Sequence, residues 1–298
     1  MKKLVSFAIL PVFFAPPVFA GATQDGNGFI EDSHLDVLLR NAFIKRDYKA
    51  EGVRDRDEWG QGIIATYSSG FTQGPVGVGV DAIGQYAVRL DGGRGRSGAG
   101  GIDFFAQDND GKAKSDLAKF GATAKLRFSN TVLSYGTQRP ELPIVNADSS
   151  RLLYETYTGF MLDSQEIAGL DVTAGYFTDE QQKSDDSHNS GLSNLSFAGA
   201  KYQFTDQFSG AFYASNVQDV INKQYLGLNY RQPVYANNAV VFDFTGYNSR
   251  MHQEYADSLH SGRSNKIWSL ASRFIWGRYT AKRASSKRDS STGYHSRR

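Results

Sequence analysis

The chain has 298 residues, no cysteine, 31 glycines, 40% hydrophobic residues and a mean hydropathy of −0.45. The absence of cysteine excludes a disulfide framework and thiolate metal sites. The formal charge of +2 is misleading: Arg278–Arg298 carries seven basic residues and one acidic, leaving residues 21–277 at about −6, so the basic ends are no argument for nucleic-acid binding.

At the N-terminus, Lys2 and Lys3 precede an apolar run from Leu4 to Phe14, and Val18-Phe19-Ala20 supplies small residues at the cleavage positions. Residues 1–20 therefore read as a secretory signal peptide. Pro11, Pro16 and Pro17 and the shortness of the run argue against a membrane helix. No later stretch is apolar for the roughly 18 residues that such a helix needs.

From Leu35 to Trp276 the signal is period two, in segments of about ten residues divided by turn-rich stretches, as in a transmembrane antiparallel β-barrel. Val76, Val78, Val80, Ala82, Gly84, Tyr86 and Val88 fall on one face, with Asp81, Gln85 and Arg89 between them. Phe120, Ala122, Ala124, Leu126 and Phe128 alternate with Lys119, Thr123, Lys125 and Arg127. The spacing places Trp59, Ile63, Ala65, Tyr67 and Phe71 together, and likewise Leu170, Val172, Ala174 and Tyr176. Weaker repeats continue to Trp268, Leu270 and Phe274, giving roughly a dozen strands. Aromatic residues near segment ends match interfacial girdles. Residues 202–208 read as two strands with a tight turn, whereas Asp91–Leu117, Thr178–Ser193 and Asn248–Asn265 read as long outward loops. After Gly277 the alternation fails, so the expected division is 1–20 signal peptide, 21–277 partial barrel and 278–298 an unpatterned basic tail left by a lost reading frame.

Motifs for chemistry are weak. The glycine-rich Asp91–Gly98 lacks the Gly-Lys-Ser/Thr of a phosphate loop. Asp108-Asn109-Asp110-Gly111 lacks two carboxylates that a calcium loop requires. His34, His188, His252, His260 and His295 have no metal-ligand spacing, and no Gly-x-Ser-x-Gly elbow occurs. Nothing here points to an enzyme, a metal or a cofactor. The stronger signal is basic: Arg40 and Arg46 share a face, Arg56 opens the second strand, Arg89 closes the third, and Lys125 and Arg127 stand on the fourth. Stacked in a narrow lumen, such residues attract and guide anions.

Several ordered motifs resemble the porin D, or outer-membrane carboxylate channel, family of Gram-negative bacteria. They are Gly28–Leu35, Leu39-Arg40-Asn41, Arg46-Asp47-Tyr48, Glu58–Gly62, Ser69–Gly74, Ser150-Arg151-Leu152-Leu153, Gly159-Phe160, Gly169–Thr178 and Trp268–Ala271. The resemblance covers about residues 28 to 272. It implies an 18-stranded, monomeric outer-membrane barrel, inserted in lipid by the barrel-assembly machinery, that passes small carboxylate or amino-acid solutes. It identifies Arg139–Glu155, with Pro140, Pro143, Ser150 and Arg151, as an inward-folded constriction loop, and places Arg46, Arg56 and Arg151 on a lumen ladder. Arg89, Lys125 and Arg127 join that set from periodicity alone. Tyr154 stands where the family often has proline, so the loop is expected to differ in shape.

The family continues well beyond the Trp-Ser-Leu-Ala motif, so this chain is expected to stop before closure. An open sheet edge in hydrocarbon leaves polar groups unpaired, and a dozen strands of an 18-strand design lack the register to close; the expectation is a product that does not work as a pore. An enzyme, for instance a hydrolase, or an adhesin or receptor on a barrel scaffold are the alternative classes.

Overall fold

The computed structural model describes residues 26–276, apart from 53, 93–95, 97–103, 108–111, 189–190 and 236–237. The expected signal peptide, the basic tail, the Asp108–Gly111 motif and His295 lie outside the described residues. The first six strands are β1 (His34–Arg46), β2 (Arg56–Ser68), β3 (Val76–Asp91), β4 (Asp116–Phe128), β5 (Thr131–Gln138) and β6 (Thr156–Ile167). They continue as β7 (Leu170–Gln181), β8 (Leu195–Gln203), β9 (Phe208–Val217), β10 (Ile221–Pro233), β11 (Ala239–Met251) and β12 (Ser264–Ile275). All twelve form one sheet in chain order, each antiparallel to the next, and β1 and β12 are not paired, so the sheet is open. The only helix among the described residues is the short α1 (Gln253–Ser258).

Burial is inverted relative to a water-soluble sheet. On β4, Phe120 is 77% exposed while its neighbour Lys119 is 2% exposed. On β3, Val76, Val78, Val80 and Tyr86 are exposed and Gln85 is buried. The same holds on β7 to β10, where Tyr176, Tyr202, Phe212, Leu226 and Leu228 face outward and Thr173, Ser209 and Ser215 are buried. An apolar exterior over a polar interior is the arrangement that hydrocarbon solvates. Polar groups on the outer face are paired: Trp59 Nε1 donates to Asn41 Oδ1 at 3.1 Å, and Asn41 Nδ2 donates to Gln61 Oε1 at 3.0 Å.

The two ends of the sheet differ. At one end neighbouring strands are joined by short turns, such as Ser129-Asn130 and Ala168-Gly169. Glu166 binds the first of these by accepting from Ser129 Oγ, Asn130 N and Thr131 Oγ1 at 2.8–2.9 Å. At the other end stand the β3–β4, β5–β6, β7–β8 and β11–β12 loops, which include all three long excursions expected from the sequence.

One expected face is corrected. Phe71 does not continue the outer row of Trp59, Ile63, Ala65 and Tyr67. β2 ends at Ser68, and the following residues bend inward, with Gly70 N donating to Phe29 O at 3.0 Å and Thr72 N to Val78 O at 2.9 Å. Parity fails once the strand stops, and the Phe71 ring lies instead beneath Lys125 and Arg127 on the inner face.

Candidate functional site: the inner wall and the loop folded on it

The β5–β6 loop, Arg139–Glu155, folds onto the inner face and is anchored on both flanks of its own hairpin. Its first half packs Leu142, Ile144 and Val145 against Phe177, Leu195 and Phe197 on β7 and β8. Its second half packs Leu152 and Leu153, both almost wholly buried, against Ile64, Ile83 and Leu117 on β2 to β4. Internal bonds shape the turns between: Leu142 N to Val145 O at 2.8 Å, Ala147 N to Pro140 O at 2.9 Å and Glu155 N to Asp148 O at 2.9 Å.

Polar ties reinforce this seat. Tyr154 N donates to Gln85 Oε1 at 2.7 Å, and Lys119 Nζ donates to Tyr154 O at 2.6 Å and Gln182 O at 2.8 Å. Arg40 Nη1 donates to Ser149 O at 2.9 Å and to Arg151 O at 2.6 Å. The Arg40 and Arg139 guanidinium carbons lie 4.4 and 3.4 Å from the Tyr154 ring centroid. Arg139 Nε is buried with no hydrogen-bond partner among the described residues. Burial lowers the Arg139 pKa despite Glu141 at 3.7 Å.

Asp148 pairs with Lys183 of the β7–β8 loop and accepts from Ser150 N at 2.7 Å. Burial works to raise its pKa, but the hydrogen bonds from Lys183 and Ser150 prevail and hold it at about 2.

The sequence-derived basic residues are spread along the wall rather than gathered. Arg46 and Arg56 are register partners at the long-loop end of β1 and β2. Arg89 lies near that end of β3, with Nη1 donating to Gly92 O at 2.5 Å. Arg151 sits on the loop, with Nη1 donating to Ser150 O at 3.1 Å. Lys125 and Arg127 are at the short-turn end of β4, roughly 20 Å below Lys119 at the usual strand rise. Lys125 is held by Asp81 at 2.5 Å and Ser68 Oγ at 3.1 Å, so its charge is locally balanced; the Arg127 guanidinium carbon lies 4.8 Å from the Phe71 ring centroid. Of the residues expected to form a constriction, Pro140 is fully buried, and Ser150 stands beside Lys183 Nζ at 3.4 Å. Pro143 lies on the inserted first half, between Leu142 and Ile144.

Sequence reading did not assign Glu58, Lys119, Phe104 or Phe105 to the site. Glu58 is fully buried, and its Oε2 accepts from Phe104 N at 2.5 Å. Lys119 offered only a charge inside an alternating strand, Glu58 opened a motif of the family resemblance without a role attached to it, and Phe104–Phe105 had no signal.

A polar-lined, apolar-jacketed antiparallel sheet with a loop folded across its inner wall defines a β-barrel porin wall. The chain belongs to the OprD family of outer membrane porins, whose family model matches residues 27–294. It is 36% identical over 277 residues to Porin D of Pseudomonas aeruginosa, covering 90% of this chain and 61% of that protein. The crystal structure of Acinetobacter baumannii OccAB1 superposes with a TM-score of 0.77 at 29% identity, covering 86% of this chain and 65% of that one. Pseudomonas aeruginosa OccK2 (OpdF), solved in complex with glucuronate, gives 0.68 at 26% identity, covering 84% and 63%. The chain thus spans under two thirds of the length of these relatives.

Proposed function

We propose that this chain forms the loop-bearing wall of a diffusion channel for small carboxylate-bearing solutes, amino acids among them, in the outer membrane of a Gram-negative cell. The observation that carries the reading is the row of basic side chains on the inner face of β1 to β4, facing a loop anchored across the same wall. In a narrow aqueous passage with low-dielectric walls, fixed cations raise the local concentration of anions. The ladder comprises Arg46, Arg56, Arg89 and Arg151, joined by Arg40 and Arg139 at the loop; Arg127 contributes at the short-turn end, where Asp81 balances Lys125. The bound glucuronate of the OccK2 relative, a sugar carboxylate, supports this class of solute. Export by residues 1–20, insertion by the barrel-assembly machinery and a monomeric state complete the proposal.

The test is swelling of proteoliposomes carrying this wall completed to a closed barrel by the remaining strands of a full-length relative, in iso-osmotic glucuronate and in glucose. Faster entry of glucuronate, reduced by Arg151→Ala while glucose entry holds, is the expected result. Equal entry of the two solutes in the unaltered protein, or no entry of either, would overturn the reading.

A further inference from the structure

Of the β3–β4 loop, Phe104 to Gln107 and Ala113 to Lys114 lie on the inner side of the sheet beside the constriction loop. Phe104 and Phe105 are 2% and 0% exposed, and they share one apolar cluster with Leu152 and Leu153. Gly60 on β2 makes the floor for both loops: a Cβ there would overlap Leu152 Cδ1 and come within 3.0 Å of Phe105 Cε2. The buried Glu58 carboxylate fixes the Phe104 amide from below. Directly beside this anchorage the β3–β4 loop meets the β7–β8 loop, which reaches over from the opposite flank of the constriction loop. Ala106 N donates to Ser184 O at 2.7 Å, and Lys114 Nζ meets Asp186 at 2.6 Å and Asp185 at 3.6 Å, all on the β7–β8 loop.

The constriction loop emerges between β5 and β6, so the β7–β8 loop crosses that hairpin to reach Ala106 and Lys114. That same β7–β8 loop holds Asp148 through Lys183. We propose that the β3–β4 loop is a strap that positions the constriction loop: Phe105 wedges Leu152–Leu153 against the wall, Glu58 fastens the near end, and Lys114 fastens the far end. These are positioning residues; they act on solutes only through the aperture that the constriction loop leaves. The strap sets the size limit of the passage, while the arginines set its preference for charge. A wedge of two phenylalanines suits this role because it is stiff and dry, and a dry contact does not loosen as the ionic strength of the lumen changes. The ion pairs at the far end are partly exposed and respond to salt, which makes that end the one from which the strap releases.

The aperture claim rests on the channel reading; the mechanical claim does not, and the experiment separates them. Amide exchange is followed in the lipid-folded chain, unaltered and as Phe105→Ala, Phe105→Leu and Lys114→Gln. Phe105→Ala is expected to raise exchange across residues 142–153 about tenfold while amides in the centre of β9 and β10 hold, and Phe105→Leu to restore most of the protection. Lys114→Gln removes no core volume and should loosen the same residues by a smaller factor. In swelling assays Phe105→Ala should raise entry of lactobionate relative to glucuronate about threefold, a size effect without a charge effect. Unchanged exchange over 142–153, or an equal rise throughout the strands, would overturn the strap. Exchange that behaves as expected with an unchanged lactobionate ratio would overturn its control of the aperture. Entry of neither solute in the unaltered protein removes the channel reading, and the exchange data then decide the strap alone.

Discussion

Leu152 rests directly on a glycine of β2: its side chain occupies the space a Cβ on Gly60 would need, and its carbonyl oxygen lies 3.0 Å from the Cβ position of Gly62. The second half of the β5–β6 loop is therefore seated on bare backbone. Gly60→Val is expected to unseat it, at a cost of about 1–3 kcal/mol typical of overpacking. Thermal unfolding in lipid, together with faster protease cleavage within residues 139–155, measures both effects. Gly60→Ala should show the same direction with smaller amplitude.

Asp148 provides a pH-dependent tie. Its pKa is depressed to about 2 by its bonds to Lys183 and Ser150, so its contribution is fully present above the ordinary carboxylate pKa near 4 and is lost as pH falls through 2. Both partners are partly exposed, with side chains 38% and 24% accessible, so the contribution is about 1 kcal/mol or less. Because the chain has no cysteine, one introduced as Glu141→Cys can carry a single fluorophore. Its mobility should rise between pH 4 and pH 2, and Asp148→Asn should abolish that step.

Arg40 combines a loop tether with a charge. Arg40→Lys keeps the charge but loses the planar stack on Tyr154 and the paired donation to Ser149 and Arg151. It should loosen the loop without changing anion preference. Arg40→Gln should lower the anion-to-cation permeability ratio as well, by about two- to threefold if one ladder charge is removed. Reversal potentials under a salt gradient separate the two variants.

Adjacent positions on β10 test which face meets lipid. Leu228 points outward, whereas Asn229 points inward and donates to Asp243 at 2.5 Å. Leu228→Arg is expected to cost about 2–4 kcal/mol of folding stability in a bilayer. Asn229→Arg, placed beside a carboxylate, should cost much less. Urea titration of folding into vesicles checks the difference.

The strand content was legible because alternation is a local property: each pair of neighbours on β3 or β4 declares its own inside and outside. What escaped was whatever depends on packing across space. Phe71 has the parity of the outer row, yet it folds inward because β2 ends three residues earlier. Phe104 and Phe105 sit inside a glycine- and aspartate-rich excursion and are among the most buried residues of the chain. Lys119 was read as one charge among several, but three backbone carbonyls, on the β5–β6 loop, at the end of β7 and on the loop after it, make it a fastener. The basic stripe was visible as a pattern; the balancing of Lys125 by Asp81 was not, because the two lie 44 residues apart.

The footing of the constriction loop on both flanks bears on how such channels diversify. A loop held only at its ends can be exchanged as a cassette. This one stands on Gly60 and Gly62 to one side and on Phe177 and Phe197 to the other, so a graft of residues 139–155 into a relative must bring its floor with it. Change in the loop is thereby coupled to change in strands distant in sequence.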